Sequence, residues 1–193
     1  MKRKTQCWVL MAAVWMGAFP AYGRNIAGVD VPEQKQVAEI SAPLVLNGAG
    51  IRTKFFFDIY VCALYLPEKT QDMQVILDGK RPKQLAMHFV HKLVTKDKIN
   101  AAWEEGFSAN LSPEEKKSLE KERTQFSSFS EDAKAGDHMV FDYIPGKGTH
   151  VLMNNKEKGW IEGEKFNQAL LKIWLGENPI AKKLKQQLLG QIP

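Results

Sequence analysis

The sequence is poor in cysteine, with Cys7 and Cys62 alone among 193 residues. Cys7 falls in an N-terminal stretch expected to be removed. Cys62 then has no partner, which excludes an internal disulfide framework. Cys62 sits in an apolar run, so a buried and inert thiol is expected, because reactive thiols occupy polar, partly exposed places. Signatures of catalysis are missing as well. HExxH, CxxC and GxSxG do not occur, which leaves zinc hydrolysis and serine-nucleophile chemistry without support. GKGT at Gly146–Thr149 lacks the GxxxxGK[ST] spacing of a phosphate loop. His88 and His91 are three apart on an expected strand and so face opposite ways. His138 and His150 stand alone. No metal and no cofactor are expected. No long basic run or nucleic-acid motif occurs, and nucleic acid is discounted as a partner.

The first residues have a different character. Lys2, Arg3 and Lys4 precede an apolar run, Cys7–Phe19, then Pro20 and the small-x-small Ala21-Tyr22-Gly23. This is the pattern of a cleavable signal peptide, residues 1–23, and implies a periplasmic or secreted protein. The run is shorter than the roughly 20 residues that span a bilayer, so no stable membrane span is expected after cleavage. Removing 23 of 193 residues leaves 170, which suits one domain, 24–193. Three of the 27 Lys and Arg leave too, so 24 basic residues face 22 acidic ones and the net charge falls from +5 to +2.

The hydrophobic pattern then reads as strands followed by helices. IAGVDV (Ile26–Val31) and PLVLNG read as strands, and Phe55–Leu66 is apolar but for Asp58. Such a run predicts a strand, or two, buried on both faces and central in a sheet. A bend or bulge is expected near Asp58. Thr70–Asp78 reads as a short helix capped by Thr70 and ended by Gly79. Lys83–His91 reads as a strand. From Thr95, the residues Ile99, Ala102, Trp103, Gly106 and Phe107 form one helical face. Ser112–Glu115 (SPEE) is a capping box that starts a charged helix running to about Phe126. HMVFDYI and THVLMNN are strands joined by PGKG, and NNKEKG is a further turn. Phe166, Ala169, Leu170, Ile173 and Trp174 line another helix, stopped by Gly176. Asn178 and Pro179 start the last helix, which ends at Gly190. The class is α+β, an antiparallel sheet with helices mainly on one side.

Arg52 stands out at the mouth of the apolar run, beside Gly48-Ala49-Gly50. Glycines there permit a tight bend or the close approach of another group. An arginine in this place snorkels to solvent, pairs with a carboxylate, or points into a pocket and awaits an anion. Local physics alone favours the first two over the pocket. The aromatics at helical spacing are expected to be core, and the charged stretch Glu114–Arg123 a solvated face.

LNGAGIR (Leu46–Arg52) followed by KFFFDIYVCALYLPEK (Lys54–Lys69) resembles the chalcone isomerase-like superfamily, whose plant enzymes carry a similar GAGxR and then a KF-aromatic strand ending in YL. The later order is similar too: a helix with Trp103, a charged helix, the GKG hairpin, and FNQALLKIWLG followed by NPI. The similarity covers nearly all of the chain after the leader and is best to the bacterial, exported branch. The resemblance implies an open-faced β-sandwich, a large antiparallel sheet covered by a layer of helices, with a ligand cleft between them. It implies that Arg52 and Tyr65 hold a carboxylate, as fatty-acid-binding relatives do. It also places His91 and Lys98 where the enzymes carry a catalytic Tyr and an Asn, with His91 a catalytic candidate. The expected function is binding of a small apolar anion, a fatty-acid-like carboxylate. The alternatives are an isomerase or intramolecular lyase acting on a phenolic or enone substrate, and a non-catalytic interaction or scaffold protein whose Arg52 is in a structural ion pair.

Overall fold

A computed structural model describes residues 23–193. All of the expected leader but Gly23 therefore lies outside the described residues. The chain enters through a small hairpin, β1 (Arg24–Ile26) and β2 (Val29–Val31). It turns at Ala27 and Gly28, with φ of 49° and 82°. Positive φ at both turn residues matches the twist of a two-residue hairpin.

The body is a seven-stranded antiparallel sheet whose strands lie side by side in chain order. They are β3 (Gln34–Lys35), β4 (Leu44–Lys54), β5 (Phe57–Leu66), β6 (Lys83–Phe89), β7 (His138–Ile144), β8 (Gly148–Met153) and β9 (Lys156–Ile161). Six helices are described: α1 (Met73–Leu77), α2 (Lys96–Asn110), α3 (Pro113–Ser118), α4 (Glu120–Ser128), α5 (Glu164–Leu175) and α6 (Lys182–Leu188).

Side-chain alternation decides the two faces of the sheet. On β5, Tyr60, Cys62, Leu64 and Leu66 join the main core with the helices, among them Trp103 and Phe107 of α2 and Phe166 and Trp174 of α5. Val61, Ala63 and Tyr65 point the other way, into a smaller core under Val31, Val37 and Leu44. Beyond that small core the second face turns polar. Gln84 donates to Asp142 at 2.6 Å, and the His150 ring stacks on Trp160 with centroids 4.5 Å apart. Burial raises the Asp142 carboxyl above the usual carboxylate range, against the pull of the Gln84 hydrogen bond.

The glycines of GAG have a packing role. A Cβ at Gly48 would fall 2.7 Å from the Leu188 carbonyl oxygen, and one at Gly50 would strike the Gln187 side chain. α6 thus rests directly on the backbone of β4. Gly106 does the same between helices, where a Cβ would sit 2.7 Å from Ile173 Cγ2.

Several boundaries differ from the sequence reading. Within Phe55–Leu66 the strand starts only at Phe57. Phe55 and Phe56 are the turn between β4 and β5, where Lys54 pairs with Phe57. β5 itself is interior, between β4 and β6. The expected irregularity is a register shift between Arg52 and Thr53, opposite Asp58 and Tyr60. Ile26–Val31 is a hairpin, not a strand. Asp72, not Thr70, caps α1, its carboxylate accepting from Gln74 N at 2.8 Å. The charged helix divides at Leu119 into α3 and α4, with the capping box at Ser112 and Glu115 in place. The last helix starts at Lys182, because Asn178 instead ties its loop to α2, donating to the Ala109 carbonyl at 3.0 Å. β9 was not foreseen. Asn154 and Asn155, both at positive φ, turn the chain back into it.

Candidate functional site

Arg52 is on β4, opposite Tyr60 of β5, so both project to the helix side of the sheet. Arg52 is 8% exposed. Its guanidinium carbon lies 5.6 Å from the centroid of the Tyr60 ring, within cation–π range. Among the described residues, no carboxylate lies in ion-pair range of Arg52. The Tyr60 hydroxyl accepts a 2.9 Å hydrogen bond from Trp174 Nε1 on α5. Burial drives the Tyr60 phenol well above its ordinary range, and the Arg52 charge only partly offsets this. Tyr60 therefore stays a neutral phenol whose hydroxyl proton is free to be donated.

Arg52 opens onto a cavity of about 360 Å³ between the β4–β5 hairpin and the start of α2. Phe55, Phe57, Ile59, Leu93, Val94, Ala101 and Ala102 supply apolar wall, and Lys54, His91, Lys98 and Glu105 supply the polar edge. A void of about 30 Å³ continues past Arg52 and Lys98 toward Tyr60, Phe89 and Trp103. His91 lies just beyond the end of β6, held by its backbone N–H on the Ile59 carbonyl at 3.2 Å. Its ring meets Phe57 edge-on, centroids 5.6 Å apart. Lys98 is in the first turn of α2, where its backbone N–H donates to the Thr95 cap. Three cations (Arg52, Lys54 and Lys98), one carboxylate (Glu105) and an imidazole thus surround a mainly apolar space. That arrangement suits an apolar body with an anionic end.

Arg52, His91 and Lys98, singled out separately along the sequence, therefore line one cavity. Tyr65 does not join them. It faces the smaller core on the opposite side of the sheet, and its hydroxyl donates to the Pro32 carbonyl at 3.1 Å. The residue that the sequence reading missed is Tyr60. Tyr60 and Tyr65 are five apart on one strand, so only one of them can share the face of Arg52. The YL motif favoured Tyr65, but strand pairing selects Tyr60. Among the described residues no group of His, Cys, Asp and Glu is placed to hold a metal ion. Cys62 is fully buried and its thiol is pushed far up by burial.

No curated protein matches the chain in sequence. A fatty-acid binding protein of Arabidopsis thaliana has a similar solved structure, with a TM-score of 0.67 at 13% identity over 86% of this chain and 93% of that one. At that identity the likeness speaks for the fold. The family model described as chalcone isomerase-like matches residues 23–190, and the chain belongs to the chalcone isomerase-like family.

Proposed function

We propose that the protein binds a small apolar anion, a fatty-acid-like carboxylate, in the cavity under the β4–β5 hairpin. The observation that carries this reading is a buried arginine on an apolar cavity wall with no carboxylate in ion-pair range among the described residues. A structural arginine at 8% exposure would have a carboxylate partner, since an unpaired buried charge is costly. A ligand carboxylate supplies that partner. Tyr60 supplies a hydroxyl proton on the same face, and the phenyl and aliphatic walls take the acyl chain. The volume lies at the small end of the ligand-pocket range of about 300–1,000 Å³, which favours a short or medium chain. The Arabidopsis relative's name supports the ligand class. The chalcone chemistry of the family is not part of this reading, because His91 and Lys98 stand where the resemblance places the enzyme's Tyr and Asn. The proposal includes export by the N-terminal leader. Sequencing the exported protein should find Arg24 first, and an intact Met1 end would refute that part.

The test is a titration of purified protein with a fatty acid and with the alcohol of the same chain. The acid should bind much more tightly. Removing a charged partner from a desolvated anion typically costs about 2–5 kcal/mol. Equal binding of acid and alcohol would show that no cation reads the carboxylate.

A further inference from the structure

The β4–β5 hairpin ends in an unusual tip. Phe55, Phe56 and Phe57 are 84%, 95% and 60% exposed, and Leu93 on the neighbouring loop is 49% exposed. Soluble proteins rarely gather large apolar side chains in this way without a use for them. The backbone deepens the oddity. Phe55 has φ of 57°, at the first position of a two-residue turn that Gly, Asn or Asp ordinarily fills. A bulky residue in that conformation is strained, and such strain gathers at functional sites.

The tip stands at the mouth of the cavity, for Phe55, Phe57 and Leu93 are also part of its wall. Around it the charge is mainly positive. Lys54 precedes the three phenylalanines, Lys92 precedes Leu93, and Lys98 is on the cavity edge. None of the three makes an ion pair among the described residues. Acids stand there too: Asp58, which accepts from the Thr53 hydroxyl at 2.8 Å, Glu105 on the cavity edge, and Asp97 beside Lys98 in the first turn of α2. A convex aromatic tip ringed by cations is complementary to a surface that is apolar inside and anionic at its face. Four such side chains offer roughly 500 Å², short of the about 800 Å² per partner of a standard protein interface. A bilayer imposes no such threshold, since each ring inserts separately.

We propose that the β4–β5 hairpin tip and Leu93 dock the protein onto an anionic lipid bilayer, with Lys54 and Lys92 on the headgroups and the cavity mouth turned to the membrane. The contact is peripheral. No helix among the described residues is long and apolar enough to cross a membrane. Docking needs no ligand in the cavity and does not rest on the proposed ligand.

The test is flotation of the chain without its leader, residues 24–193, with vesicles of equal parts phosphatidylglycerol and phosphatidylcholine, and with phosphatidylcholine alone. The apolar run Cys7–Phe19 is absent from every sample, so binding reports the tip. Phe55→Gly combined with Phe56→Ser removes two rings and relieves the turn. Its partitioning should fall by about tenfold or more, with a urea midpoint no lower than that of the parent. Lys54→Gln with Lys92→Gln should lower partitioning into the anionic vesicles by about fivefold per charge and leave phosphatidylcholine binding nearly unchanged. Partitioning that survives the loss of both rings would overturn the proposal, as would a parent chain that does not float. A tip variant that changes only the sedimentation of the free protein would also overturn it and assign the tip to self-association. Fatty-acid titration is scored separately, so docking without ligand binding, or the reverse, tells the two readings apart.

Discussion

Replacing Arg52 with methionine separates a binding arginine from a structural one, because the two roles predict opposite signs. Methionine keeps a long unbranched stem and removes the charge. In the absence of ligand, the guanidinium is almost wholly buried with no carboxylate in ion-pair range among the described residues. Desolvating such an ion costs several kcal/mol. The Tyr60 ring at 5.6 Å returns about 0.5–2 kcal/mol, and water in the cavity returns part of the rest. The Arg52→Met variant should therefore match the parent in stability or exceed it by about 1–2 kcal/mol. Binding should move the other way. A loss of about 2–5 kcal/mol raises the Kd for a fatty acid by about thirtyfold to several thousandfold. The assay pairs urea denaturation of the ligand-free protein with thermal shift on adding fatty acid. The parent should gain Tm with ligand concentration, and the variant should not. A ligand-free variant destabilised by more than about 2 kcal/mol would make Arg52 structural. A variant that binds the acid as tightly as the parent would remove Arg52 from the site. Arg52→Lys should recover only part of the affinity, since an ammonium lacks the planar two-pronged fork.

Three further outcomes follow from particular contacts. Tyr60→Phe strands the buried Trp174 Nε1, whose acceptor is the Tyr60 hydroxyl at 2.9 Å. It should cost about 1–3 kcal/mol of stability and weaken acid binding, whereas Tyr65→Phe should leave acid affinity unchanged; the reverse pattern in the titration would return Tyr65 to the site. Gly48→Ala should lower stability by about 1–3 kcal/mol, because its Cβ would meet the Gln187 and Leu188 carbonyls, and an unchanged urea midpoint would refute the close seating of α6. His88 is kept neutral, its pKa lowered from 6.5 to about 4 by burial and then by the charges of His138 and Lys35. The unfolded chain takes up that proton first as pH falls, so stability present above about pH 6.5 should decline toward pH 4. The His88 share is about 1–2 kcal/mol. Asp142, with its carboxyl raised, works in the opposite direction, so the measurement is the difference between parent and His88→Gln midpoints across that range. A difference that does not vary with pH would refute the shift.

Much of the fold was legible because burial writes a period into the sequence. Ile99, Trp103, Gly106 and Phe107 are the buried residues of α2. Phe166, Ala169, Leu170, Ile173 and Trp174 are all buried on α5. The turn residues were legible too where their chemistry is specific, as at Ser112 and Glu115. The first error lay in treating apolarity as burial. Phe55, Phe56 and Phe57 extend the apolar run of β5 in sequence but stand in solvent at a turn. Nothing in their residue types announces a turn, because positive φ is rare for phenylalanine. β9 was missed for the converse reason. Its KEKGWI is half-exposed and polar, and the two asparagines before it were the only local signal of the return.

The site was half legible, and the missing half is a matter of strand parity. Arg52 drew notice by its charge beside an apolar run. His91 and Lys98 came by resemblance to the family. All three meet at one cavity because the β4–β5 hairpin lies where α2 begins, which no local pattern states. The tyrosine was misplaced because a motif names a residue without saying which way it points. Along β5, Tyr60 joins Cys62 and Leu64 toward the helices, while Tyr65 joins Val61 and Ala63 on the other face. A register shift beside Arg52 then sets it against Tyr60. A strict two-residue hairpin at Phe55-Phe56 would have put Ile59 there instead. The extra residue at that irregularity, not the YL motif, brings a phenol to the arginine. The tip that follows it carries its three phenylalanines outside. The register shift beside the proposed anion site and the exposed aromatic tip are consecutive steps along one hairpin.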